Sequence, residues 1–123
     1  MRAADTSAWI DYSRGLESEE SKKLEASLFD GTLLMPLPVL FEILSGPGLT
    51  LEAGKLICEL PKLDTKVGFW ERAGELRKSI LKKGLKARAM DCLIAQNCMD
   101  YEVPLIAADQ DYRHFIKFGL KLA

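Results

Sequence analysis

Residues 103–115 read VPLIAADQDYRHF. Val103 to Ala108 is an apolar run of strand length, and Asp109 stands directly at its carboxyl end. In open parallel sheets, ligands bind outside the carboxyl ends of the strands. The stretch ADTSAWIDY, residues 4–12, repeats the arrangement. A short strand over residues 2–5, weak because Ala3 and Ala4 have little β-propensity, runs into Asp5 and then into a helix. Two carboxylates at strand tips predict a sheet whose ends carry the chemistry.

Between these two stretches the patterns alternate. Ser7 can cap a helix reaching about Arg14 and ended by Gly15, and a second helix spans Ser18 to Phe29, closed by Gly31. Thr32 to Met35 form a strand bounded by Pro36 and Pro38. Pro38 suits the first turn of the helix PVLFEILS, which stops at Gly46-Pro47-Gly48. A helix from Thr50 to about Leu60 ends at Pro61, and a short strand is expected around Leu63. Val67 to Lys83 predicts the longest amphipathic helix, with Val67, Trp70, Ala73, Leu76 and Ile80 on one face and Gly84 as its breaker. Arg88 to Tyr101 is a further helix striped by Met90, Ile94, Cys98 and Tyr101, and GLKLA (119–123) is a candidate edge strand. Strands separated by helices need crossover connections. The expectation is therefore an α/β fold, a central, mostly parallel sheet of four to five strands covered by helices, in one domain over residues 1–123.

Composition narrows the function. Hydrophobic residues make up 48% of the chain, which supplies a core and argues against disorder. No apolar run approaches the roughly 20 residues of a membrane helix, and the first residues lack a signal peptide's apolar stretch, so a cytoplasmic protein with no membrane partner is expected. Cys58, Cys92 and Cys98 are odd in number, form no C-x-x-C pair and fall inside helical patterns, which reads as reduced core thiols. With a single histidine, a zinc site of Cys/His type is nearly excluded. The net charge of −1 does not advertise nucleic acid. Yet without Asp5, Glu42, Asp91 and Asp109 the balance is 17 basic against 14 acidic residues, or +3. A nucleic-acid substrate is compatible with that balance.

Taken singly, each of those acids has an ordinary structural role: Asp5 and Asp109 as helix caps, Asp91 in a helix first turn, Glu42 as a solvated helix residue. Their surroundings argue for more. On the helix from Pro38, Val39, Leu40, Ile43 and Leu44 form the apolar side, while Glu42 shares the other with Pro38, Ser45 and Gly46. Asp91 is flanked by Met90 and Leu93-Ile94-Ala95, which desolvates it. Charges are rarely kept in such places unless paired or bound to metal. An all-carboxylate set without thiolate or imidazole favours Mg2+ or Mn2+. Phosphodiester hydrolysis needs what such ions supply: an oriented phosphate, an activated water and a stabilised leaving oxygen. Thr6 or Ser7 can hydrogen-bond a carboxylate or phosphate, or simply cap the helix. Lys82, Lys83, Lys86 and Arg88 before Asp91, and Arg113, His114 and Lys117 after Asp109, can neutralise a phosphate backbone. Ordinary solvated surface explains them equally well, and His114 belongs to no recognisable catalytic triad.

ADTSAWIDYSRG (4–15), PLPVLFEILSG (36–46) and MDCLIAQNCMDYEVPLIAADQDYRHF (90–115) together resemble, in order, the signature blocks of PIN-domain ribonucleases. The resemblance is nearest to the VapC-type toxins of toxin–antitoxin pairs. It implies a PIN-like fold and carries the family's acidic ligands onto Asp5, Glu42, Asp91 and Asp109, its Ser/Thr onto Thr6 or Ser7, and an auxiliary acid onto Asp111. It also implies a Mg2+- or Mn2+-dependent endoribonuclease acting on structured RNA such as tRNA or ribosomal RNA. A homodimer is implied too, silenced by a cognate antitoxin whose tail crosses the groove and places a basic side chain in the acidic pocket. Two segments depart from the pattern: MRAAD is less aliphatic than the usual first strand, and KARAM (86–90) lacks small or polar helix-start residues. The competing reading is a catalytically silent PIN-like module that binds RNA or protein. A response-regulator receiver needs an acidic pair after its first strand, whereas Thr6 and Ser7 follow Asp5. A haloacid-dehalogenase-type phosphatase needs D-x-D there, and residue 7 is Ser. A DNA nuclease uses the same ligand chemistry as a ribonuclease.

Overall fold

Hydrogen bonding in the computed structural model, which describes residues 1–123, groups four short strands into one sheet. These are β1 (Arg2–Ala4), β2 (Leu33–Pro36), β3 (Lys62–Leu63) and β4 (Leu105–Ile106). The order is β3-β2-β1-β4 and every pairing is parallel, as the alternating pattern leads one to expect. Ala3 pairs with both Leu34 and Leu105, so β1 is central and its carboxyl end lies beside that of β4. The tail joins beyond β4 through a single bridge, Leu105 to Leu122, rather than a full edge strand. Pro104 has no N–H to offer, which helps confine the β4 ladder to two residues of the Val103–Ala108 run. Its carbonyl still accepts from Ala3 N at 2.9 Å.

The helices are α1 (Thr6–Ser13), α2 (Glu19–Phe29), α3 (Leu37–Ser45), α4 (Leu51–Glu59), α5 (Phe69–Lys82) and α6 (Ala89–Asp100). A 3-10 helix over Gln110–Phe118, which the hydrophobic pattern does not announce, follows β4. Leu24, Leu33, Met35, Ile94, Leu105 and Ile106 are fully buried and tie the sheet to α2 and α6. Helix α6 is buried on almost every side, polar Gln96 and Asn97 included, which blurs its expected stripe. No helix is long and apolar enough to cross a membrane.

Three expectations are corrected. Helix α5 begins at Phe69 rather than Val67, because Gly68 adopts a left-handed φ of +83°. Its core face is Phe69, Ala73, Leu76 and Ile80, while Val67 is 99% and Trp70 64% exposed. The cap of α1 is Asp5 rather than Ser7, its Oδ1 accepting from Ala8 N at 2.7 Å. Cys58 is exposed, since α4 buries only Ile57, whereas Cys92 and Cys98 are buried thiols whose pKa values burial pushes up to about 11 and about 12.

Candidate functional site

The parallel register places β1 and β4 tips side by side, α6 brings its first turn to the same end, and α3 brings Glu42. A cavity of about 190 Å3 opens there, lined by Asp5, Thr6, Ser7, Ile10, Glu42, Arg88, Asp91, Asp109 and Tyr112. All four acids singled out from the sequence therefore face one space, each delivered by a different element.

Asp5 is 1% exposed. Its Oδ1 accepts from Ala8 N at 2.7 Å and Ala108 N at 3.3 Å, and its Oδ2 from Asp109 N at 3.3 Å. It thus caps α1 and ties the first strand tip to the last. Burial pushes its carboxyl up to about 6, the Asp109 charge adds to the rise, and the backbone bonds oppose it. Glu42 is half-buried and accepts from Thr6 Oγ1 at 2.6 Å, joining α3 to α1. Tyr112 donates to Asp91 Oδ1 at 3.3 Å, while Asp91 Oδ2 is buried with no partner. Burial raises the Asp91 pKa first, and the charges of Asp109 and Glu42 raise it further; the Tyr112 bond and Arg88 act the other way. Asp109 Oδ1 accepts from Asp111 N at 2.9 Å, and its Oδ2 lies 4.0 Å from Arg88 Nη1.

The donor set fits a hard divalent cation: only oxygens, neighbouring charges that raise the pKa values of Asp5 and Asp91, and a buried carboxylate oxygen left unpaired. No three acidic side chains converge closely enough to chelate one ion in this arrangement.

The remaining expected residues are spread out. Thr6, Ser7 and Arg88 line the cavity. Asp111 stands beside it, 3.8 Å from Lys86 Nζ. Lys82 lines a separate groove on α5, Lys83 lies 4.9 Å over the Phe118 ring, and Arg113 is exposed. None of those three reaches the cavity lining. His114 Nδ1 is 3.2 Å from the Lys86 carbonyl, a role outside the cavity. Tyr112 is the polar cavity residue that sequence reasoning missed, and Ile10 is the apolar one. The signal for Tyr112 is its place one turn after Asp109, legible only once a 3-10 helix is assumed.

The family model for the PIN domain matches residues 3–117. Among solved structures, VapBC2 from Rickettsia felis, crystallised with a DNA fragment from its promoter, superposes with a TM-score of 0.73 at 19% identity, covering 99% of this chain and 96% of that one. FitAcB from Neisseria gonorrhoeae superposes with a TM-score of 0.69 at 16% identity, with the same coverages of 99% and 96%. No curated protein matches the sequence.

Proposed function

The chain belongs to the PIN-domain family, and from that premise we propose that it is a metal-dependent endoribonuclease, the toxin of a toxin–antitoxin pair. The observation that carries the proposal is that four carboxylates from four elements line one cavity that also holds a cation, Arg88. Asp5, Glu42, Asp91 and Asp109 would hold Mg2+ or Mn2+. When bound, such ions orient the phosphate, lower the pKa of an attacking water and stabilise the leaving oxygen.

The chain's own groups prepare that site. Three backbone N–H groups hold Asp5 in place, Thr6 donates to Glu42 and Tyr112 donates to Asp91, so each side chain is held at the cavity before substrate arrives. Ser7 lines the cavity. Arg88, 59% exposed and loosely paired at 4.0 Å, is free to leave Asp109 for a substrate phosphate. Lys82, Lys83, Lys86 and Arg113 are candidate contacts farther along the RNA, and Asp111 an auxiliary acid that restrains Lys86.

The partner half of the proposal rests on the sequence blocks described above and is supported by likeness in fold to VapBC2 and FitAcB. A cognate antitoxin would cover the cavity, the protein would act in the cytoplasm as a homodimer, and tRNA or ribosomal RNA would be the substrate. Residues 1–123 would then be one PIN-like unit. The test is incubation of the purified protein with total cellular RNA in Mg2+, in Mn2+ and in EDTA. Discrete fragments with metal and none with EDTA are expected. Tight RNA binding without cleavage in any condition would contradict it and make the protein a silent binding module.

A further inference from the structure

Helix α5 carries a second concavity, apart from the carboxylate cavity. An open groove of about 530 Å3 is lined by Gly74, Arg77, Lys78, Leu81 and Lys82. These positions recur at helical spacing, so one face of α5 forms the lining, and from Gly74 to Lys82 it runs about 12 Å along the axis. Three of the five residues are cations and none is acidic. None of the three is ion-paired, since the bridges of this molecule engage Lys22, Arg72, Lys86 and Arg88. Lys78 and Lys82 lie one turn apart, where like charges disfavour the helix. Gly74 also weakens α5, and packing does not require it, because a Cβ built there meets nothing within 4 Å. Leu81, 49% exposed, adds an apolar contact in the same groove.

The groove is mechanically joined to the acidic cavity. Arg77 Nε donates to the Ala87 carbonyl at 2.9 Å, pinning the connection between α5 and α6. The next residue, Arg88, lines the cavity. The α5 cations and the cavity lining are thus connected through the Arg77–Ala87–Arg88 segment.

We propose that this groove is a second RNA-backbone subsite, holding substrate phosphates away from the bond that is cut. It rests on the ribonuclease reading of the cavity, and it makes the enzyme select for RNA long enough to span both places. Unpaired cations beside an apolar residue suit a phosphate backbone with its sugars and bases.

The test uses the double variant Lys78→Ala, Lys82→Ala, with Arg77 kept because it holds Ala87. Alanine favours the helix, so α5 is retained. Binding of a labelled single-stranded RNA of about 20 nucleotides, longer than the roughly 4–16 covered by a compact binding fold, is followed by anisotropy in EDTA across a salt series. Affinity is expected to fall about tenfold, and the slope of log K against log salt to become shallower by about 1.4, the value for two lost single-strand phosphate contacts. Unchanged affinity and slope for the long RNA would overturn the subsite. So would a variant that loses polyglutamate binding but keeps RNA binding, which would assign the groove to an acidic protein. If neither protein cuts the long RNA in Mn2+ while the variant still loses affinity for it, the subsite stands and the ribonuclease reading falls.

Discussion

Asp5 shows how one side chain serves structure and chemistry together. It caps α1, receives an N–H from each of two residues after β4, and contributes a buried negative charge to the cavity. Replacing it by Asn sets an amide NH2 against backbone donors, so Asp5→Asn is expected to lose both activity and stability. Asp91→Asn is the cleaner probe: Oδ1 still accepts from Tyr112, and the atom replaced at Oδ2 has no partner to lose. We expect it to abolish metal-dependent cleavage and to leave the metal-free protein equally or more stable, as read by urea denaturation. A clear loss of stability would assign Asp91 a structural role instead. Tyr112→Phe removes one hydrogen bond to Asp91 and is expected to destabilise by about 1 kcal/mol while slowing cleavage more than it weakens RNA binding. Full activity with unchanged stability would count against that positioning role. Proton linkage gives a signed pH prediction. In the folded, metal-free chain Asp5 takes up its proton near pH 6, against 3.8 unfolded, so its contribution to stability rises as pH falls through that window and disappears as a gain above it. The full gap corresponds to roughly 3 kcal/mol, of which roughly 1 kcal/mol separates pH 7 from pH 5. Asp91 shifts in the same direction, while Asp100, paired with Arg72 below the usual carboxylate range, opposes only in more acid solution. Denaturant midpoints that fall steadily from pH 7 to pH 5 would contradict this assignment.

At the scale of elements, the junction between β3 and α5 depends on one glycine. Gly68 sits at φ +83°, and a Cβ there would lie 2.5 Å from Arg72 Nη1. That guanidinium donates to the Val67 carbonyl at 2.8 Å and grips both oxygens of Asp100 at 3.0 and 2.7 Å, clamping α5 to α6. Gly68→Ala is therefore expected to destabilise by more than about 1 kcal/mol, measured by chemical denaturation, because strain and a displaced clamp add together. A neutral effect would mean that the turn relaxes freely. The same junction marks a limit of sequence reading. Val67 and Trp70 share helical spacing with Ala73, Leu76 and Ile80, and so does Phe69; only the left-handed turn at Gly68 decides which register faces inward. The 3-10 helix carrying Tyr112 was equally hidden, since its polar run QDYRH resembles a loop until Tyr112 and Phe115 are seen buried. The parallel sheet and the acids at its strand tips were legible, because strands separated by helices need crossovers and short apolar runs end in Asp, whereas the strand order was not. The fate of the lysines was not, because long solvated side chains leave no periodic trace of what they face.

For the whole molecule, four carboxylates from separate elements are proposed to act as one cation-binding unit. Like charges held together in a partly buried cavity resist folding until a cation joins them, so the metal is expected to stabilise the entire fold by mass action. At 100 times its dissociation constant, a single bound ion adds about 2.7 kcal/mol. The measurement that addresses this most directly is calorimetric titration of Mn2+ into the wild-type protein and into Asp91→Asn, with the melting temperature of each followed in parallel. Saturable binding and a raised melting temperature in the wild type, both strongly weakened in a variant that remains folded, are the expected result. Equal binding by the two proteins, or none by either, would contradict the claim that these acids form a metal centre.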